Sequence, residues 1–239
     1  MDDLDQAIQT FFGRPEMIAE IVNRLFYRKD RVQPSEMTME DTMPVFQTLG
    51  KSGGALSPVE YRQEYSRLFL AGTGTFHYTL FVETEVNYEL PLKAFLFEGG
   101  LYMTEAEGWD VSENDGKLLP CLTVVLYLSP NAWGGYYHLH ETYRQTKEEL
   151  IKLAPDYHLN IIEPVKLSDE TIAGLSGDLA GVLRFTKTSK DRRSVEEFLE
   201  GGAYAELSEN ARELISCLVE YQNRENPEIP EKTDHMPEL

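Results

Sequence analysis

Residues Leu118 to Leu128, LLPCLTVVLYL, make a nearly continuous apolar run rich in β-branched side chains and closed by Ser129-Pro130. A strand with one wet face alternates apolar and polar residues. A run this unbroken reads as a central strand covered on both faces. A second strand is expected over Phe76 to Val86, FHYTLFVETEV. Tyr61 to Leu70 has the propensity of strand or helix, and the turn Ala71-Gly-Thr-Gly-Thr75 behind it favours an antiparallel pair with Phe76 onward. Between the two apolar strands, Glu89 to Met103 reads as a helix with Pro91 in its first turn and Leu92, Phe95, Leu96 and Tyr102 facing inward. Gly99-Gly100 within it costs roughly 1 kcal/mol per glycine in propensity, which a close approach to a sheet would explain.

Asp2 to Phe12 is weakly helical, Gly13-Arg14-Pro15 interrupts it, and Pro15 restarts the chain at a helix's first position. From Pro15 to Arg28 the residues Met17, Ile18, Ile21, Val22, Leu25 and Phe26 recur with helical spacing, and Glu20 and Asn23 lie together beside that stripe. Lys29 to Pro58 shows no period, and Glu105 to Lys117 reads as an acidic loop. Beyond the central strand the reading is a helix near Thr146 to Leu153 and a short strand at Tyr157 to Ile162. Helices follow at Ser168 to Ala173, Asp178 to Lys187, Ser194 to Glu200 and Ser208 to Gln222. The last has Ser208 as N-cap and Leu214, Ile215, Leu218 and Tyr221 as its apolar face. The expected organisation is a single domain over 1–222 and a disordered acidic tail over 223–239, whose prolines stand among charges.

The 239 residues carry 22 Lys and Arg against 41 Asp and Glu, a formal net charge of −19. Affinity for nucleic-acid phosphates rests largely on cations, so DNA is disfavoured on average and would need a local basic patch. The candidate is Lys187-Thr-Ser-Lys190-Asp-Arg192-Arg193, although a solvated helix end explains that run equally well. No stretch approaches the ~20 apolar residues that span a bilayer, and the start MDDLDQ has no secretion-signal character, so a cytosolic protein is expected. Cys121 and Cys217 show no ligand-like spacing and read as reduced core residues.

Chemistry is hinted at one place. Glu83 and Glu85 stand at the end of the Phe76 strand, and alternate strand residues project to one side about 6–7 Å apart. Two such carboxylates suit Mg²⁺ or Mn²⁺, which can polarise a phosphoryl oxygen and activate water. The plain alternative is acidic residues where a strand meets solvent. His138-Leu-His140-Glu141 also offers ligand types, but residues two apart do not share a helix face, and structural histidines are the simpler reading. Gly72-Thr-Gly74 lacks the helix and lysine of a phosphate loop and reads as a turn. Trp133, Tyr136 and Tyr137 read as packing rather than as a stacking platform for bases.

The stretches LLPCLTVVLYLSPNAWGG, LHETY, LIKLAPDYHLNII and LRFTKTSKDR, in that order, resemble the Rpn family of recombination-promoting nucleases, a family also described as transposase-like. RPEMIAEIVNRLFY and EVNYELPLKAFLFEGGLY extend the resemblance upstream, so that it covers roughly residues 7 to 200. The resemblance implies an α/β fold with a restriction-endonuclease-like PD-(D/E)xK core, a mixed sheet flanked by helices and a helical C-terminal extension. It also implies a Mg²⁺-dependent DNA endonuclease. The family places an Asp near the first strand of the pair, and here Glu64 is the nearest acid. Glu83 aligns with the family Glu, which puts Glu85 at its Gln position; another gap placement puts Phe81 and Glu83 there instead. Lys93 on the next helix is either a replacement cation or a solvated helix residue. Metal ligands implied are therefore Glu64, Glu83 and Glu85, supported by Glu20, with Lys93 assisting. Double-strand cleavage would call for a homodimer. The other class of function is a catalytically inactive homologue that binds a protein partner.

Overall fold

The computed structural model of the protein describes residues 3–39, 68–74, 76–107, 117–144 and 147–225. Helix α1 (Asp3–Phe12) is followed by α2 (Pro15–Glu20), a π-helical stretch Ile21–Tyr27, and the short strand β1 (Thr38–Met39). Strands β2 (Leu68–Gly72) and β3 (His77–Glu83) precede helix α3 (Leu90–Glu107) and strand β4 (Cys121–Tyr127). Then come α4 (Glu148–Ile151), β5 (Asn160–Ile162), α5 (Asp169–Ala173) and α6 (Gly177–Thr188). The chain continues with α7 (Arg192–Leu199), α8 (Gly202–Ala205) and α9 (Glu209–Glu225).

The five strands form one mixed sheet in the order β1-β2-β3-β4-β5. β2 is antiparallel to β1 and to β3, with Gly72 opposite His77 across the turn. β4 runs parallel to β3 and β5 parallel to β4. A parallel pair needs a crossover, and α3 supplies the one between β3 and β4.

Alternation along β4 divides the core in two. Val124, Leu126 and Leu128 face a large cluster with Leu80 and Val82 of β3 and residues of α1, α2, α6 and α9, among them Phe11, Phe12, Leu183, Phe185, Leu214 and Leu218. Val125 and Tyr127 face the opposite cluster with Phe81, Leu90, Ala94, Phe97, Leu101 and Trp133. The sheet is thus covered on both sides, as the unbroken apolar run requires. Thr79 and Thr123, side by side in the middle of the sheet, are both buried and hydrogen-bond each other at 2.7 Å.

Several expectations change in the structure. On α3 the buried residues include Leu90, Ala94, Phe97 and Leu101, while Leu92, Phe95 and Leu96 are exposed. The helix is apolar nearly all round, LPLKAFLFEGGLYM, so period alone could not select its inner face. A Cβ at Gly99 would meet nothing, so this glycine does not mark a close approach. α3 continues through Glu107, beyond the expected start of an acidic loop at Glu105, and Leu119 N–H donates to both Glu105 oxygens at 2.9 and 3.1 Å. The helix at 146–153 shortens to α4, the strand at 157–162 to β5, and α9 runs into the expected tail as far as Glu225. Neither cysteine is in a disulfide, and both are half-buried rather than core. The remainder of the tail, 226–239, and residues 61–67 of the first expected strand lie outside the described residues.

The helix expected over 15–28 turns π-helical at Ile21 and stops at Arg28, whose φ of 54° is left-handed. Asn23 is buried there, and its side chain binds the returning strand of chain. Its Oδ1 accepts from Arg31 N–H at 2.9 Å and Val32 N–H at 3.0 Å, and its Nδ2 donates to the Val32 carbonyl at 2.6 Å. Replacing Asn23 by Ala leaves buried backbone groups without partners, at about 1–3 kcal/mol each. Urea unfolding of Asn23→Ala should show a loss of about 3 kcal/mol; a loss below about 0.5 kcal/mol would mean that water replaces the amide.

Candidate functional site

Glu83 ends β3 opposite Tyr127, and Leu128 N–H donates to the Glu83 carbonyl at 2.7 Å, closing the ladder. Strand alternation puts the Glu83 side chain on the face of Phe81, toward α3. The chain then bends at Thr84 and Glu85 and turns at Tyr88 and Glu89 into α3. Asn87 shapes this turn: its Oδ1 accepts from Glu89 N–H at 3.1 Å and its carbonyl from Leu90 N–H at 3.2 Å. An open pocket of about 460 Å³ is lined by Glu83, Glu85, Val86, Asn87, Tyr88 and Glu89. It lies beyond the carboxyl end of a parallel strand, the position where open α/β sheets place their ligands.

The expectation that Glu83 and Glu85 share one face of a strand is corrected, because β3 ends at Glu83. Glu85 instead accepts a hydrogen bond from the Tyr221 hydroxyl on α9, a helix of the opposite layer. Both carboxylates still border the same pocket. Glu89 adds a third at its rim, paired with Lys93 one turn along α3 at 3.8 Å. Lys93 therefore stands beside the pocket, and its charge is shared with an exposed acid. Glu20 is engaged elsewhere: its carboxylate accepts from the backbone N–H and the hydroxyl of Ser176, the residue that precedes α6. A carboxylate there favours the positive end of the helix. Glu64 lies outside the described residues.

The wall behind the pocket is the segment after β4. Trp133 is buried edge-on against Tyr127 at 5.0 Å, and Tyr136 meets Tyr88 at 5.2 Å, which makes these rings packing elements. Gly135 is required here, since a Cβ would come within 2.7 Å of the Trp133 ring and 3.0 Å of Val86. Glu163, immediately after β5, anchors the segment while almost wholly buried. It accepts from Trp133 N–H at 2.8 Å, the Tyr137 hydroxyl at 3.0 Å and Lys166 Nζ at 2.6 Å. Burial first, then the Glu163 carboxylate, pushes the Tyr137 hydroxyl pKa up.

The basic run offers little uncommitted charge. Lys187 holds Asp169 at 2.6 Å and the Leu167 carbonyl at 2.8 Å, Arg192 pairs with Glu196 and Arg193 with Glu197. The Lys187 hydrogen bond lowers the Asp169 pKa, so this pairing is present above the ordinary carboxylate range and lost as pH falls through the lowered value. Among the described residues no group of three or more His, Cys, Asp or Glu is placed to hold a metal ion. Among them, too, no helix is long and apolar enough to cross a membrane. Glu89 and Asn87 line the pocket and Tyr221 holds Glu85, and none of the three is assigned a site role from the sequence alone. The acidic spacing of ETEVNYE could have flagged Glu89, but nothing local links Tyr221 to a glutamate 136 positions away.

No family model, curated protein or solved structure matches this chain.

Glu163→Ala should destabilise the protein by about 2–4 kcal/mol, because Trp133 N–H and the Tyr137 hydroxyl lose a buried acceptor. Chemical denaturation reads this, and a Glu163→Gln variant, which keeps an acceptor, should recover part of the loss.

Proposed function

We propose that the protein is a metal-dependent DNA endonuclease of the Rpn kind, hydrolysing phosphodiester bonds at the acidic pocket that ends β3. The observation that carries this reading is the position of Glu83, at the carboxyl end of the second strand of an antiparallel pair, directly before a crossover helix and a parallel apolar strand. Helix, strand pair with a terminal acid, helix and apolar strand is the core order that the PD-(D/E)xK resemblance implies. The donors also suit the chemistry. Mg²⁺ is commonly held through one or two carboxylates with waters completing its shell, and Glu83 and Glu85 are such donors on one pocket. Glu64 is the sequence candidate for a further ligand.

A bound Mg²⁺ would supply a polarised phosphoryl oxygen and a more acidic water. This chain's own residues would do the remaining work. The Tyr221 hydroxyl fixes one oxygen of Glu85 and leaves the other to orient an attacking water. Lys93 brings a cation to the pocket rim, where it can offset charge on the phosphate. DNA would approach a chain of net charge −19 through this ion and Lys93 rather than through a broad basic surface.

A second reading, a catalytically inactive homologue that binds a protein partner, is favoured by the outer face of α3. Leu92, Phe95, Leu96 and Met103 are all exposed there, with Tyr88 beside its start. Such a patch is uncommon on a monomer without a use for it.

Plasmid DNA incubated with Mg²⁺ or Mn²⁺ should be nicked or linearised by the wild-type protein, and Glu83→Ala should cut about 100-fold more slowly or less. Absence of cleavage with both metals in a folded sample would overturn the nuclease reading and leave the second.

A further inference from the structure

Three of the chain's five histidines gather away from the acidic pocket, at the other end of the parallel strands. Glu83 closes β3 at its carboxyl end, whereas His158 precedes β5 at its amino end. There His158 bridges His138 in an isolated antiparallel pair. Leu139 N–H donates to the Tyr157 carbonyl and Leu159 N–H to the Tyr137 carbonyl, both at 2.9 Å, so the flanking residues carry the backbone bonds. The two histidines are thus a non-hydrogen-bonded pair, the kind whose side chains approach most closely. Their ring centroids are 4.6 Å apart, and His138 Nε2 lies 3.3 Å from His158 Nδ1.

The Asp156 carboxylate sets the state of His138. Its Oδ2 lies 2.9 Å from His138 Nδ1, and a carboxylate only accepts, so Nδ1 carries the proton. Nε2 of the neutral ring is then a lone pair aimed at His158. Asp156 itself is held by the N–H groups of His140 at 3.1 Å and Tyr157 at 2.9 Å. His140 is differently placed: its Nε2 faces the Ala154 carbonyl at 3.0 Å, and its Nδ1 stands 3.8 Å from Asp156.

We propose that His138 Nε2 and His158 Nδ1 are the two protein ligands of a zinc site, with Asp156 as the outer-shell carboxylate that orients His138. Zn–N bonds of about 2.0–2.1 Å at a tetrahedral angle separate two nitrogens by about 3.3–3.4 Å, which is the spacing already present. Carboxylate, imidazole and ion in series is the usual arrangement around zinc-binding histidines. The His138 side chain is 46% exposed, so water can fill the remaining two positions. In the metal-free protein His158 Nδ1–H donates to His138 Nε2. On binding, that proton passes through solvent to His158 Nε2, and the ion takes the place of the hydrogen. Glu141 holds the Tyr137 and His138 N–H groups at 2.7 and 2.8 Å, so little chain ordering is left to be done.

Calorimetric titration of the full chain with Zn²⁺ should give saturable binding that His138→Gln and His158→Gln each weaken about tenfold or more. Asp156→Asn should weaken it by about 10–100-fold. His140→Gln and Glu83→Ala should keep it, which separates this site from the acidic pocket. Nitrogen NMR of the imidazoles in the unsubstituted protein gives a reading that needs no variant: Zn²⁺ should shift His138 Nε2 and His158 Nδ1 together. Binding that survives both His138→Gln and His158→Gln in a Glu83→Ala background, or no shift of these nitrogens at saturating Zn²⁺, would overturn the proposal.

Discussion

A strand buried on both faces governs this architecture. β4 places Val124, Leu126 and Leu128 in one apolar cluster and Val125 and Tyr127 in the other, and neither face can be left to water. Burying such side chains contributes roughly 25 cal/mol per Å² of apolar surface removed from water. Everything else is arranged around that demand. α1, α6 and α9 close one side, and α3 with Trp133 closes the other. Because β3 and β4 are parallel, their connection must cross the sheet, and the crossover is what creates a loop at the carboxyl end of β3. The acidic pocket follows from that connection.

The polar groups near the pocket divide into those that hold its walls and those that face it. Glu163 is a buried carboxylate with three donors, and it fixes the segment carrying Trp133, Gly135 and Tyr137. Glu83, Glu85 and Glu89 border the open space. Tyr221 ties one of them to the last helix, so the pocket joins residues from the middle and the end of the chain. Carboxylates that look alike in the sequence thereby acquire different roles. Glu20 shows the same point, since its position beside an apolar stripe gave no hint that it would meet Ser176 at the head of α6.

What the sequence made legible was the pattern enforced by burial. The run at 118–128, the antiparallel pairing of β2 with β3, and the last helix with Leu214, Ile215 and Leu218 inward all have strong periods or strong runs. What escaped was decided at long range. α3 is apolar on nearly every side, so only the position of the sheet chooses Phe97 over Phe95 for burial. Within the π-helical stretch Asn23 meets Val32, a contact that helical periodicity does not encode. Glu83 and Glu85 were legible as a pair, but the strand ends between them, and Tyr221 was out of reach.

On its β5 side the sheet, among the described residues, ends on a strand of three residues, while β3 and β4 inside it have seven each. An edge exposes unpaired N–H and C=O groups that can recruit another chain, and a long flat edge is a template for aggregation. Here the longest and most apolar strands are the inner ones, whose backbone groups are taken up by neighbours. At the β5 border an incoming strand finds only a few hydrogen bonds to make, so the longest apolar strands, β3 and β4, are the least available to recruit another chain.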